Sequence, residues 1–226
     1  ENYLPSLSDF FITEGLAHRI TPFNWKELGY SNKYETIIDT NKMYDNVMNR
    51  FKFGGLAENP DYYLDETTSR MVYTHRVLLA SLAESLVDEG KNLADEGKEK
   101  EAITALDKAL KVLDYAEQVI PSSLVPQQAQ LGAFVLGETY IKLGEKEKAI
   151  NILGTVGDEL IEYLKWYDSL DKKDYVAISS DYSINLQLLK NMIGILKNGG
   201  GPYKAEVTKF QKAFNTHFQN LRSRGV

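Results

Sequence analysis

The chain contains an internal repeat, and this feature restricts its fold more than any other. Residues 97–103 (GKEKEAI) align with residues 144–150 (GEKEKAI) at an offset of 47 residues. Both copies have a turn glycine, a charged helix start and an alanine where the second helix would meet the first. A small residue at such a crossing lets two helix backbones approach closely. The repeat therefore predicts two helical hairpins of similar construction.

Hydrophobic spacing, capping residues and helix breakers extend the helical prediction over most of the chain. No segment alternates polar and apolar residues over the length of a strand, so we expect essentially no sheet. The predicted helices cover about 40–53, 65–95, 99–120, 126–143, 146–170, 179–197 and 204–222, with weak points at Gly154 and Gly157 in the fifth. The sequence therefore predicts an all-α fold.

The predicted helices begin only after an irregular N-terminal arm, residues 1–38. Pro5 and Pro22 prevent a long helix there, and Gly15 and Gly29 punctuate the segment. The arm is too apolar for a disordered tail, so we expect it to pack on the helices. Residues 39–226 then form one helical domain, with hairpin repeats at about 66–121 and 126–170 and C-terminal helices at 179–222.

The second hairpin resembles a tetratricopeptide repeat. Leu136-Gly137, Tyr140, Gly144 and Ala149 fall at that family's spacings. The first hairpin matches less well, and the offset of 47 exceeds the family's repeat of about 34 residues. The resemblance implies a tetratricopeptide-like stack of elongated hairpins.

Such a stack has a concave surface made from the first helix of each hairpin. Five positions of the second hairpin, called the repeat face below, are expected to point toward it. They are Leu131, Phe134, Glu138, Ile141 and Lys142. Grooves of this kind bind extended peptides or partner helices. The alternative is that flanking helices of the chain fill the groove.

Charge and hydropathy exclude several classes of partner. The net charge is −6 with no basic stripe, which argues against nucleic-acid binding and against a membrane-surface helix. No apolar run reaches the roughly 18 residues of a membrane span, so we expect a fragment that does not insert into membranes. The first residues lack the pattern of a signal peptide, and a mature or excised fragment is expected.

No residue set has the spacing of a catalytic or metal site. His18, His75 and His217 are far apart and lack zinc-ligand or di-iron spacing. There is no cysteine, no nucleophile elbow and no phosphate loop, since the glycines at 199–201 follow a helix. The 32 acidic residues offer many pairs for sugar hydrolysis, and none is singled out. We therefore predict no catalytic residue, no metal and no cofactor.

One group of side chains has the composition of a ligand site and is called the aromatic–arginine cluster below. Its members are Tyr62, Arg70, Tyr73, His75 and Arg76. Two arginines beside aromatic rings can bind a glycan, phosphate or carboxylate. The alternative is that the tyrosines pack against the arm and the arginines pair with acids such as Asp65 or Glu66. The pair Trp166-Tyr167 is similarly a sugar platform or a packing corner.

Four further strings indicate a more specific relationship. They are EGLAHRITP at 14–22, YDNVM at 44–48, NPDYYLDET at 59–67 and RMVYTHR at 70–76. Together they resemble the C-terminal region of a Bacteroidetes family of multi-spanning membrane proteins of unknown function. That family's N-terminal domain is similar to the GT-C glycosyltransferases, which use lipid-linked sugars. The stretch 88–95 departs from the family pattern. The string DEGK occurs twice in this region, at 88–91 and at 95–98.

This resemblance implies a soluble, extramembrane domain of an inner-membrane protein, on the periplasmic side or else in the cytoplasm. Our preferred hypothesis is a noncatalytic module that binds a protein, a peptide or a glycan, with its own membrane domain or an acceptor polypeptide as candidate partners. The alternatives are a carbohydrate-active enzyme domain that uses paired acids and a cytosolic peptide-binding scaffold.

Overall fold

A computed structural model describes residues 5–28, 37–59 and 61–224 of the chain. The described chain is mostly helical, which confirms the all-α prediction at that level. It divides into two compact units, Glu1–Pro126 and Gln127–Val226. The predicted boundary at residue 38 stays a prediction, and the predicted break at Gly29 lies outside the described residues.

A small sheet in the arm is the main difference from the predicted fold. Strands β1 (Phe11–Thr13), β2 (His18–Ile20) and β3 (Ile37–Ile38) follow a 3-10 turn at Pro5–Phe10. They form a sheet of order β2-β1-β3, in which β1 pairs antiparallel with β2 and parallel with β3. Strands of two or three residues are too short to show an alternating pattern, so periodicity did not reveal them.

Glu14, next to β1, ties the arm to the first helix. Its carboxylate contacts Arg19 at 2.5 Å and Lys42 at 2.6 Å, and its carbonyl accepts a hydrogen bond from Asn46 Nδ2 at 2.8 Å. The hydrogen bond from Lys42, together with Arg19, lowers the pKa of Glu14. The arm of unit 1 therefore packs on the helix that begins at Thr40.

The helices of unit 1 begin and end at the expected signals. Helix α1 (Thr40–Asp45) continues into a π-helical turn, Asn46–Arg50, and α2 (Glu66–Asp95) and α3 (Glu99–Val119) form the first hairpin. The Asp65 carboxylate accepts a hydrogen bond from the Thr68 N–H at 2.7 Å, which caps α2. The cap explains why a helix of 30 residues begins at that point.

Unit 2 contains the second hairpin and the C-terminal helices. A kinked segment, Ala129–Ala133, precedes the remaining helices, which are α4 (Phe134–Lys142), α5 (Lys146–Ser169), α6 (Lys172–Ala177), α7 (Ser179–Asn198) and α8 (Lys204–Ser223). The predicted helix start at Pro126 is wrong, because Gly132 at φ 100° interrupts the helical path until Phe134. Helix α6 was not predicted, and α5 runs through Gly154 and Gly157 without a break.

The two turns of the internal repeat have the same hydrogen bonds. Gly97 and Gly144 both have positive φ, 77° and 80°, which favours glycine at the end of a helix. In each turn, the N–H of the next residue donates to the carbonyl five residues earlier. The pairs are Lys98 with Leu93, at 2.8 Å, and Glu145 with Tyr140, at 2.9 Å. The repeated sequence therefore builds the same turn twice.

The two hairpins also close at equivalent positions. A Cβ placed on Gly90 would lie 2.9 Å from Leu106 Cδ2, and one on Gly137 would lie 2.5 Å from Leu153 Cδ2. These glycines are 47 residues apart, as are the leucines. In both hairpins a leucine of the second helix thus occupies the space that a glycine leaves on the first.

Candidate functional site

The aromatic–arginine cluster divides into surface and buried members. Tyr62, Arg70 and His75 are exposed or half-exposed, near the N-terminal end of α2. Arg70 pairs with Glu66 at 2.6 Å, as the alternative interpretation proposed, and His75 Nδ1 lies 2.8 Å from the Met71 carbonyl oxygen. These three side chains remain available on the surface of unit 1.

Arg76 and Tyr73 point into unit 1. The Arg76 side chain is fully buried and donates hydrogen bonds to the carbonyl oxygens of Ile120, Val125 and Pro126, at 3.0, 2.7 and 3.0 Å. The Tyr73 hydroxyl donates to the Pro126 carbonyl at 2.9 Å. Burial lowers the pKa of the Arg76 guanidinium, and the nearby charge of Glu117 partly offsets this effect. Both side chains hold the segment that follows α3, and neither offers its polar end to a ligand.

The repeat face lies on the kinked segment and α4, and all five of its side chains are half-buried. Glu138 and Lys142 form an ion pair at 3.3 Å. A Cβ placed on Gly199 would lie 3.0 Å from Ile141 Cγ2, so the turn after α7 covers part of this face. The repeat face is therefore partly occupied by the chain's own C-terminal region and partly open.

A polar network that the sequence analysis did not identify lies at the end of α5. Asp168 Oδ2 accepts a hydrogen bond from Asn220 Nδ2 at 2.7 Å and lies 2.7 Å from His217 Nδ1. The Tyr182 hydroxyl lies 3.1 Å from Asp168 Oδ1 and 2.8 Å from the His217 carbonyl oxygen. The Arg224 guanidinium donates to the Asp168 carbonyl and lies over the Tyr175 ring. The network joins α5, α7 and α8, and the hydrogen bonds among its buried and half-buried groups indicate a structural role.

One part of this network could have been recognised in the sequence. His217, Asn220 and Arg224 lie at i, i+3 and i+7, which places them on one face of a helix. Nothing in the sequence indicated that Asp168, about 50 residues earlier, would face them.

Tyr182 gives the network an expected pH dependence. Its side chain is buried, and burial together with the Asp168 charge raises its pKa. The folded pKa then exceeds the unfolded value of about 10, so this contribution to stability is present below about pH 10 and is lost as pH rises further. Above about pH 10, the free energy of unfolding of Tyr182→Phe should therefore fall less steeply with pH than that of the native protein. The expected difference in slope is about 1.4 kcal/mol per pH unit.

Urea unfolding of both proteins at a series of pH values from 8 to 11 measures this difference. Tyr63→Phe, at a side chain that is 91% exposed, is the matched control and should retain the native pH profile. Parallel profiles for the native protein and Tyr182→Phe would contradict the assignment.

An open groove lies between α5 and α8 in unit 2 and is called the α5–α8 groove below. Its volume is about 410 Å³. It is lined by Ile150, Asn151, Gly154, Thr155 and Asp158 of α5 and by Ala205, Glu206, Lys209 and Phe210 of α8. Its size lies within the range of ligand-binding clefts. The groove could not be predicted from the sequence, because it exists only where two distant helices pack together.

Neither a metal cluster nor a membrane span is found in the described part of the chain. Within residues 5–28, 37–59 and 61–224, no three His, Asp or Glu side chains are placed to share a metal ion. No helix in those ranges has both the length and the apolar character that crossing a bilayer requires. Comparison with protein-family models, curated proteins and solved structures found no match.

Proposed function

We propose that this chain is a noncatalytic interaction module whose tetratricopeptide-like hairpins present helix faces to a protein partner. The observation that supports it most is the duplicated hairpin closure, in which Gly90 and Leu106 correspond to Gly137 and Leu153. Duplicated helical hairpins are the building units of repeat proteins, whose common role is to offer a binding surface. The tetratricopeptide spacing of residues 136–149 supports the more specific description.

The N-terminal end of α2 is the surface that we assign to the partner. Tyr63 is 91% exposed, Met71 is 61% exposed, and Arg70 and Tyr62 lie beside them in the sequence. Tyrosine, methionine and arginine are enriched at protein interfaces, and large apolar side chains exposed together indicate contact surfaces. The open part of the repeat face is the second candidate surface.

We further propose that the chain is the extramembrane part of a multi-spanning protein with a GT-C-like domain, facing the periplasm. The four strings between residues 14 and 76 support this proposal. The reading frame upstream of Glu1 tests it, because the proposal requires many hydrophobic spans there. An upstream frame that encodes no such span would favour a cytosolic scaffold.

Site-specific photocrosslinking tests the interaction module independently of the parent protein. A photoreactive residue is placed at Tyr63, at Glu138 of the repeat face, or at the control position Glu162, which is exposed on α5. We expect one defined protein to be crosslinked in lysate from position 63 or 138 and not from position 162. The same products from all three positions, or none from any, would contradict the proposal.

A further inference from the structure

We propose that the α5–α8 groove binds a lysine or arginine side chain of a partner polypeptide, with the side chain over Gly154 and its cationic group at Glu206. This site lies in unit 2 and shares no residue with the surfaces assigned above. It gives the module a second binding site of defined chemistry, and it does not depend on which protein contacts α2 or α4.

The length of the groove fits a short stretch of extended chain. Its α5 wall runs from Ile150 to Asp158, which is about 12 Å at the helical rise of 1.5 Å per residue. An extended chain advances about 3.3–3.6 Å per residue, so three or four residues span this distance. The groove is thus long enough for one anchor residue and its neighbours.

Gly154 forms part of the floor, although the packing of the protein does not require a glycine there. A Cβ at position 154 would meet only Ile150 Cγ2, at 4.0 Å, whereas one at Gly157 would lie 2.5 Å from the Phe210 ring. A glycine within a helix costs about 1 kcal/mol relative to alanine. The equivalent position of the first hairpin, 47 residues earlier, is Asp107, so the hairpin itself tolerates a side chain. The glycine leaves room for a molecule that approaches the α5 backbone.

The charges of the groove favour a cation. Asp158 is already paired with Lys209, at 2.5 Å, which leaves the Glu206 carboxylate as the uncompensated charge among the lining residues. None of the described residues donates a hydrogen bond to Glu206 Oε2, although this atom is buried. A buried carboxylate oxygen without a donor is costly, and a charged donor would recover part of that cost. The terminal torsion of glutamate is broad, so the carboxylate can turn toward a ligand.

The remaining lining explains why the cation is a basic side chain. Ile150, Gly154 and Ala205 provide apolar surface beside the carboxylate, and the fully buried Phe210 ring lies beneath Lys209. Lysine and arginine lay their methylene stems along apolar surface and keep the charged group at a polar end. The groove offers both parts in one place, so its chemistry matches a basic residue within a peptide.

Binding is measured by titrating ¹⁵N-labelled protein with acetylated and amidated tetrapeptides. The sequences are Ala-Lys-Ala-Ala, Ala-Arg-Ala-Ala and, as the neutral control, Ala-Gln-Ala-Ala. We expect saturable amide shifts in residues 150–158 and 205–210 with the two basic peptides, at a dissociation constant on the order of 1 mM for so small a ligand. No saturable shift with the basic peptides, equal shifts with the glutamine peptide, or equal binding of spermidine would overturn the proposal.

Three variants locate the site. Gly154→Leu fills the groove and should abolish the shifts, whereas Gly194→Leu, at a glycine of α7 with open space around it, should leave them unchanged. Glu206→Gln keeps the shape and should weaken binding about tenfold, because a charge-assisted hydrogen bond becomes a neutral one. Circular dichroism verifies that each variant folds. Native-like binding by folded Gly154→Leu or by Glu206→Gln would refute the assignment.

Discussion

Replacing Arg76 by methionine is expected to reduce the free energy of unfolding by about 3 kcal/mol or more. The guanidinium is fully buried and donates to three backbone carbonyls between Ile120 and Pro126. Methionine fills much of the same volume but removes the donor from the Ile120 and Val125 carbonyls, whereas the Pro126 carbonyl keeps its hydrogen bond from the Tyr73 hydroxyl. Each unsatisfied buried group costs about 1–3 kcal/mol. Urea-induced unfolding followed by circular dichroism measures the loss.

Arg70→Met is the matched control, because Arg70 lies on the same helix, six residues earlier. Its side chain is 77% exposed and pairs only with Glu66 among the described residues. Exposed pairs contribute little, so we expect a change within about 0.5 kcal/mol. Equal effects of the two substitutions would show that Arg76 does not hold the segment after α3. The comparison also separates a structural arginine from one that remains available to a ligand.

Gly137→Val is expected to destabilise the protein by about 1–3 kcal/mol through overpacking. A Cβ at this position would lie 2.5 Å from both Cγ and Cδ2 of Leu153. Rotation about χ2 leaves the Leu153 Cγ in place, so the clash is relieved only by a change of χ1 within the packed hairpin or by movement of α4 and α5 apart. Thermal and urea unfolding report the change, and the equivalent Gly90→Val should act in the same direction.

Gly154→Val controls for helix propensity, because it makes the same change within a helix of the same hairpin. A Cβ there meets only Ile150 Cγ2, at 4.0 Å, so we expect a change smaller than about 0.5 kcal/mol. If both valines destabilised the protein equally, close helix approach at Gly137 would not be the cause.

The features that could be predicted from the sequence are those with local causes. The cap at Asp65 and the turn glycines Gly97 and Gly144 act within a few residues, and the helices end where these signals predicted. The internal repeat is also present in the structure, since the same offset of 47 residues relates both the turns and the interhelical contacts of the two hairpins. The tetratricopeptide description and the membrane parent stay predictions.

The features that could not be predicted depend on distant segments. Strand β1 pairs with β3 across more than 20 residues, and the α5–α8 groove needs helices about 50 residues apart. Arg76 is an intermediate case. It lies on the buried stripe of α2 with Val72, Leu79 and Ala83, although the sequence pattern assigned it to the aromatic–arginine cluster with a ligand or an acid as its partner. The three carbonyls that make its burial possible could not be inferred, because the segment after α3 has no periodic pattern.

The Asp168 network has a consequence for the choice of shorter versions of this protein. His217, Asn220 and Arg224 reach back to residue 168 from the last turns of α8. A chain cut before residue 217 would lose all three contacts, uncover the face of the Tyr175 ring under Arg224 and remove the His217 carbonyl from the Tyr182 hydroxyl. Because the Asp168 carboxylate and carbonyl bind these three residues, a shortened version of this protein needs to extend to about residue 224.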